Sequence, residues 1–437
     1  MYKEIIKQAE ELKDKLIKQR RDLHKYPETG WFEMRTSSIV ARKLTDMGYQ
    51  VLTGRDVCDA ASRMGLPSEE KLEEEYNRAI MQGADKEFAE RTRGGFTGVI
   101  GILDCGEGPT VAMRFDMDAL SICEDTTDKH RPYTEGFTSL NSGMMHACGH
   151  DGHTAVGLGV AEVMMKNRDK LKGKIKLIFQ PAEEGVRGAK SIVEKGHLDD
   201  VDYVLAAHLG GEKDIPSCPI GVSPGETLAT TKFDVTFHGK AAHAAMAPQM
   251  GNNAMLAAAT AILNIYAIPR HGSSSTRVNV GRMEAGSGRN VICDTAKLEA
   301  EVRADSSEAN KFLEDYAFRI IAAAANMHGC TYEIKMMGAA PSLHNTQDLN
   351  ERLMDVCQSD IGLKVQVLKG GAAGSEDFSY MSERVQSHGG KACYFNLLTQ
   401  CAGLFHNSLF DFDEKALVNG VKAFCAITYD ILKKAEA

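Results

Sequence analysis

The chain lacks a basic excess. Its 51 Lys and Arg face 60 Asp and Glu, a formal net charge of −9. Nucleic-acid-binding domains usually carry a basic stripe, so a general phosphate-binding surface is not expected. Long apolar runs are missing too. The longest, Leu256–Ile268, is interrupted by Thr260, Asn264 and Tyr266 and falls short of the roughly 20 residues a membrane-spanning helix needs. The opening residues, MYKEIIKQAEELKDKLIKQRRDL, carry acids throughout and no apolar core, so no signal peptide is expected. There is no CxxC pair among the 11 cysteines. Reduced thiols and a cytoplasmic location are the expectation. GxxxxGK[ST] is absent, which removes a phosphate loop. The glycine-rich stretch Gly370–Gly374 runs into Ser375-Glu376-Asp377 and is no dinucleotide fingerprint.

What is present is an ordinary globular balance over 437 residues, 43% hydrophobic and 25% charged, enough for two or three domains. Helical patterns cover 3–25 and 33–47, with Gly48 as a stop, and one or two charged helices fall within 66–92. Ser68 followed by Lys71 is no capping box, which leaves that start open. Apolar strands then alternate with helices: strands at 97–103, 110–115, 173–179 and 203–208, helices at 153–166 and 189–195. This order predicts an α/β domain around a central sheet. From 230 the pattern changes to strand, helix, two strands, helix, strand (230–237, 252–268, 277–284, 297–304, 306–328, 330–337), the split βαβ order. The α/β pattern resumes with a helix at 347–360, strands at 364–368 and 392–398, and a helix at 413–434. The expectation is one α/β domain, 1–226 with 341–437, carrying a four-stranded α+β insertion at 227–340.

The densest chemistry lies in His146-Ala147-Cys148-Gly149-His150-Asp151-Gly152-His153. Thiolate, imidazole and carboxylate together are the ligand set of transition metals such as zinc. On an extended loop Cys148 and His150, two apart, would point to one side. Glu183 and Glu184, in Gln180-Pro181-Ala182-Glu183-Glu184-Gly185, follow the strand that ends at Phe179. One carboxylate there can bind metal while the other acts as general base; alone, the pair could equally be a solvated turn. His208 closes the strand 204–207, and His406 follows 394–397 in Gly403-Leu404-Phe405-His406-Asn407. A histidine at such a place is more often structural, but open α/β sheets bind ligands at the carboxyl ends of their strands. Asp116 and Asp118 follow the strand 110–115; Asp116 could orient a ligand histidine, and the plain alternative is a helix cap or turn.

Together with Arg20-Arg21-Asp22-Leu23-His24, Pro27-Glu28, the run from Met113 to Leu120 and Gly374-Ser375-Glu376-Asp377-Phe378, these motifs resemble the M20 metallopeptidase family, in its amidohydrolase branch of aminoacylase, hippurate hydrolase and auxin-conjugate hydrolase type. The segment 55–93 with Ser62-Arg63-Met64-Gly65-Leu66-Pro67, Thr230-Thr231-Lys232-Phe233 and Gly286-Ser287-Gly288-Arg289-Asn290 resemble one of the two subunit groups of the p-aminobenzoyl-glutamate hydrolases within that branch.

The resemblance implies a zinc-peptidase-like catalytic domain with a mixed central sheet and two divalent metal ions, and a lid domain that mediates dimerisation. By motif, the metal ligands would be Cys148, His150, Glu184, His208 and His406, with Glu183 as general base. His243, in Gly239-Lys240-Ala241-Ala242-His243-Ala244, would stabilise the oxyanion, from its own chain or a neighbouring subunit. Arg289 and Asn290 are candidates for a substrate carboxylate, since arginine binds it bidentately; a plain β-turn is the alternative. Other M20 branches carry a histidine ligand where this chain has Arg114, so Asp116 is not counted as a ligand. Softness favours zinc, while the relatives favour manganese, which is preferred here. The implied reaction is cleavage of p-aminobenzoyl-glutamate to p-aminobenzoate and glutamate. A broader N-acyl-amino-acid, hippurate-type or dipeptide hydrolase is the runner-up, and a non-catalytic paralogue is a third reading that the intact Glu183 disfavours. A homodimer, and a heterodimer with a paralogous partner, are equally compatible, with a small N-acyl or aroyl amino acid as the ligand.

Overall fold

The computed structural model describes residues 1–210, 217–225, 227–369 and 374–434. Part of the glycine-rich stretch, 370–373, lies outside them. Six strands come first: β1 (Gln50–Thr53), β2 (Val99–Asp104), β3 (Thr110–Asp116), β4 (Lys174–Gln180), β5 (Tyr203–Leu209) and β6 (Ile220–Val222). Four follow: β7 (Ala229–His238), β8 (Thr276–Ala285), β9 (Thr295–Ala304) and β10 (Thr331–Ala340). Then come β11 (Val365–Val367) and β12 (Lys391–Leu397). The described residues fall into two compact units, one made of 1–225, 344–369 and 377–434, the other of 227–343 with 374–376.

The first unit is built on an eight-stranded mixed sheet ordered β1-β2-β4-β3-β5-β12-β6-β11. Its centre, β4, β3, β5 and β12, is parallel, so these four strands release their chains at one edge. β3 is buried along its whole length. That is the burial expected of a parallel strand covered on both faces. Helices Tyr2–Glu11, Lys13–Lys25, Met34–Met47, His150–Lys166 and Lys415–Leu432 contribute apolar side chains to the main core, among them Leu16, Leu44, Val160 and Phe424 around Phe115 and Phe179.

Several expectations shift. The helix expected over 3–25 is two helices parted at Leu12. The charged segment is Glu69–Met81 and Lys86–Arg91, and Ser68 does cap the first by accepting the Lys71 N–H at 3.3 Å. A capping box is thus not needed for an N-cap. The helix expected from His153 starts at His150. Strands β1 and β6 and the helix Phe378–Ser387 were not expected; both strands are too short for a period to show.

The second unit is a four-stranded antiparallel sheet, β10-β7-β9-β8. Phe233, Val235 and Phe237 alternate along β7 and turn to one face. There they pack with Ala257 and Ala261 of helix Ala254–Tyr266 and Leu313 and Ile321 of helix Ser307–Met327. Small alanines let the first helix lie close to the sheet. Asn253 and Ser306 cap the two helices by accepting backbone N–H groups.

Candidate metal centre

The donors gather at the carboxyl edge of β3, β4, β5 and β12. His150 occupies the first turn of helix His150–Lys166, whose N-cap Gly149 has φ 91°, a conformation favouring glycine. This corrects the extended-loop expectation for Cys148 and His150. The helix start separates them in backbone geometry, yet both still reach one locus. Donor atoms of Cys148, His150 and His208 lie within 4.8 Å of one another, as do those of Cys148, Glu184 and His406, and of His150, Glu183 and Glu184. Cys148 Sγ is 3.4 Å from His208 Nε2. His406 Nε2 is 3.4 Å from Glu184 Oε1, and His150 Nε2 is 4.0 Å from Glu183 Oε2.

The tautomers follow from the outer hydrogen bonds. His150 Nδ1 donates to the Asp118 backbone carbonyl at 2.9 Å, and His208 Nδ1 to the Leu209 carbonyl at 2.8 Å. Each ring then keeps a lone pair on Nε2, the usual arrangement of a metal-ligating histidine. His150 Nε2 and Glu184 Oε1 are buried without a hydrogen-bond partner. Buried polar atoms left so are costly, and a divalent cation is the partner that suits a thiol, imidazoles and carboxylates together. The residues present therefore fit a metal.

Electrostatics agree. Burial opposes charge on His150, but Asp116 and Cys148 outweigh it and raise its pKa well above normal. The same negative groups favour a cation at this position. Burial, with His153 and His150, pushes His208 down to about 3, leaving it neutral as ligation requires. Burial and then Glu184 push the Cys148 thiol up; a bound divalent ion reverses this for a coordinating thiol.

Two other members of the 146–153 cluster are occupied elsewhere. His153 Nδ1 meets Asp116 Oδ1 at 2.5 Å and its Nε2 accepts the Leu209 N–H at 2.8 Å. Asp151 accepts from Arg20 Nε at 2.8 Å and faces His24 Nδ1 at 2.8 Å. Arg20, fully buried, also reaches Asp411 and Glu414, and so ties the start of the His150 helix to the segment after His406. Both ring nitrogens of His146 are buried without a hydrogen-bond partner.

Asp116 is likewise engaged. Its Oδ2 accepts from Arg114 at 2.6 Å. The buried Arg114 also donates to Gln180 at 2.8 Å and to Asp377 at 3.2 Å. Burial opposes ionisation of Asp116, but His150, Arg114 and His153 hold its carboxyl well below the usual range. Arg114 thus serves as counter-ion to Asp116 and Asp377 within the core.

The Glu183–Glu184 turn is held from behind by Asp118 and by Glu33, a residue that the motifs did not single out. Asp118 Oδ1 accepts the Glu183 N–H at 3.0 Å and Oδ2 the Glu184 N–H at 2.9 Å. Glu33 accepts the Ala182 N–H at 2.8 Å. Ala182, Val186 and His406 have φ of 51°, 59° and 61°, left-handed values that cost a non-glycine residue roughly 1–2 kcal/mol each. Such strain persists only where surroundings impose it, and it clusters at functional sites.

His243, Arg289 and Asn290 belong to the second unit, apart in sequence from these donors. There they share one locality. The Ala244 N–H donates to the Asn290 carbonyl at 3.0 Å, Ile292 N–H to Ala242 at 2.9 Å, and His243 bridges Val291. All three side chains are exposed. His243 Nδ1 accepts the Ala245 and Met246 N–H groups at 3.2 and 3.1 Å.

Residues 112–430 match the family model "Peptidase family M20/M25/M40". Over 405 residues the chain is 46% identical to indole-3-acetyl-aspartic acid hydrolase of Enterobacter agglomerans, covering 92% of each chain. It is also 46% identical over 413 residues to a p-aminobenzoyl-glutamate hydrolase subunit of Escherichia coli (strain K12), covering 94% of each. The crystal structure of an aminobenzoyl-glutamate utilization protein from Klebsiella pneumoniae superposes with a TM-score of 0.82 at 40% identity, covering 97% of each chain. With its donors gathered at the sheet edge and these matches spanning nearly its whole length, the chain belongs to peptidase family M20/M25/M40.

Proposed function

We infer that this chain is a metal-dependent amidohydrolase that cleaves p-aminobenzoyl-glutamate to p-aminobenzoate and glutamate. The observation that carries the chemistry is the convergence of Cys148, His150, Glu184, His208 and His406 beside Glu183 at one sheet edge. The substrate rests on the relatives that act on, or are named for, aminobenzoyl-glutamate.

The five donors would hold two divalent ions, manganese before zinc. When bound, these supply Lewis acidity for the water and the scissile carbonyl. Glu183 takes the proton of the attacking water and returns it to the leaving amine. Its turn is pinned by Asp118, so the carboxylate is pre-positioned rather than ordered at each turnover. His243 stabilises the oxyanion, and Arg289 with Asn290 holds the glutamate carboxylate. The short backbone links between 242–244 and 290–292 support their acting as one group. Equal identity to an indole-3-acetyl-aspartic acid hydrolase favours a second reading, a broader hydrolase of N-acyl acidic amino acids.

Unit 227–340 would act as lid and dimerisation domain. Its edge strand β8 and helix Ala254–Tyr266 leave Met255, Leu256, Leu263, Tyr266 and Met283 exposed, a patch that suits a second copy or a paralogous partner. All eleven cysteines are free and no helix among the described residues is long and apolar enough to cross a membrane; the cytoplasm is the proposed location.

Chelator-treated protein, reloaded with Mn²⁺ or Zn²⁺, is tested on p-aminobenzoyl-glutamate, indole-3-acetyl-aspartate, hippurate and dipeptides. Metal-restored cleavage with preference for the first supports the reading. Full activity without metal, or no cleavage of any acyl amino acid, overturns it.

A further inference from the structure

Exposure around the donor set is one-sided. Asp116, His150 and His153 are buried, the Glu184 side chain is 11% exposed and that of His406 53%. Solvent, and with it any substrate, therefore reaches the donors over the turn that carries His406. Two large apolar side chains stand on that turn, Leu404 and Phe405, and Phe405 is 40% exposed.

Phe405 is not a loose surface residue. Its ring stands edge-on to His208, centroids 5.2 Å apart at 90°, and leans on Phe410 at 5.4 Å and 31°. A Cβ added at Gly210 would come within 2.7 Å of the ring, so glycine there makes room for it. The ring is fixed by three neighbours beside two donor histidines, and it still keeps open surface. Leaving that surface in water forgoes burial that an aromatic ring would otherwise gain, which makes sense where a ligand covers it.

We propose that Phe405 is a specificity-determining residue that takes the flat aromatic part of the substrate's N-acyl group. The inference rests on the amidohydrolase reading and adds which side chain recognises the acyl half. Its chemistry follows from connectivity. In an aroyl amino acid the ring is bonded directly to the scissile carbonyl, so a carbonyl at the donors brings the ring within a few ångströms of them. The charged amino-acid half gains nothing from an apolar ring, whereas an aryl group gains both burial and ring–ring contact.

The test compares kcat/KM on p-aminobenzoyl-glutamate and N-acetyl-glutamate, which share the amino acid and differ in the acyl group, for wild type, Phe405→Ala, Phe405→Leu and Phe405→Tyr. Metal content and thermal melting are recorded for each. Phe405→Ala should lose on the order of tenfold on the aroyl substrate, mostly through KM, and stay within about twofold on the acetyl one. Phe405→Leu, which keeps an apolar filler against Gly210 and Phe410, should show the same selective loss, and Phe405→Tyr should restore the aroyl rate. Equal losses on both substrates, or no loss on the aroyl one, overturn the proposal while leaving the amidohydrolase reading intact. A metal-loaded wild type that cleaves neither substrate overturns both.

Discussion

The carboxylate of Asp118, two residues beyond β3, accepts the backbone N–H of Glu184 at 2.9 Å, and its other oxygen takes that of Glu183 at 3.0 Å. The carbonyl of the same residue accepts from His150 Nδ1. One residue thus sets the ring orientation of one donor and the turn that bears two carboxylates. Asp118→Asn keeps the shape but offers one acceptor oxygen where two are used, and presents an N–H₂ to a backbone N–H. Metal affinity should fall about 10–100-fold, as for other partners that orient ligands. Competition with a chromophoric chelator reads this directly, and unchanged affinity would remove Asp118 from the positioning role.

Adjacent carboxylates with different tasks should separate on mutation. Glu183→Ala should keep its metal and lose kcat by about 10²–10⁴-fold, the usual share of general acid–base catalysis. Glu184→Ala should lose metal. Metal analysis alongside single-turnover rates distinguishes them, and the reverse pattern would exchange the two assignments.

Arg289 is exposed in the second unit, beside the segment that carries His243. If it pairs with a substrate carboxylate in a water-poor site, Arg289→Ala should weaken transition-state stabilisation by about 2–5 kcal/mol, much of it from leaving that carboxylate unpaired. The loss should be far smaller on a substrate whose α-carboxylate is amidated. Equal losses on acid and amide would reduce Arg289 to a turn residue.

Acid should act on stability through Glu124. Burial raises its pKa, but hydrogen bonds from His130 and His24 outweigh that and lower it to about 2. A carboxyl depressed on folding binds fewer protons in the native than in the unfolded state, so its stabilisation is present above the unfolded value of 4.5 and is lost as pH falls towards 2. Glu124→Gln should melt lower than wild type at pH 6, and the gap should narrow as pH drops from about 5 to 3. Melting curves on chelator-treated protein, where metal loss plays no part, measure it. A gap that is constant with pH would show that the glutamate's charge is not what stabilises this network.

The amino-acid order alone determined a good deal. The apolar runs at 173–179 and 203–208 read as strands, and the two-residue alternation of Phe233, Val235 and Phe237 marked a half-buried sheet, because side-chain period is a local property of the backbone. The candidate donors were legible because soft and hard ligands crowded into short motifs, a chemistry carried by residue type. Local sequence says nothing about which of those groups remain free once the chain closes. His150 and His153 are three apart on one helix, yet His153 spends both ring nitrogens on Asp116 and Leu209 while His150 Nε2 has no hydrogen-bond partner. Asp118 read as a turn residue until β3 and β4 lay side by side and set it against the Glu183–Glu184 backbone. Contacts between residues 65 or 131 positions apart, as with Asp118 and Glu183 or Arg20 and Asp151, leave no periodic trace in the chain. Only the tertiary structure decides them, because an unpaired charge or donor is costly in the low-dielectric interior and packing sets which partner each one meets.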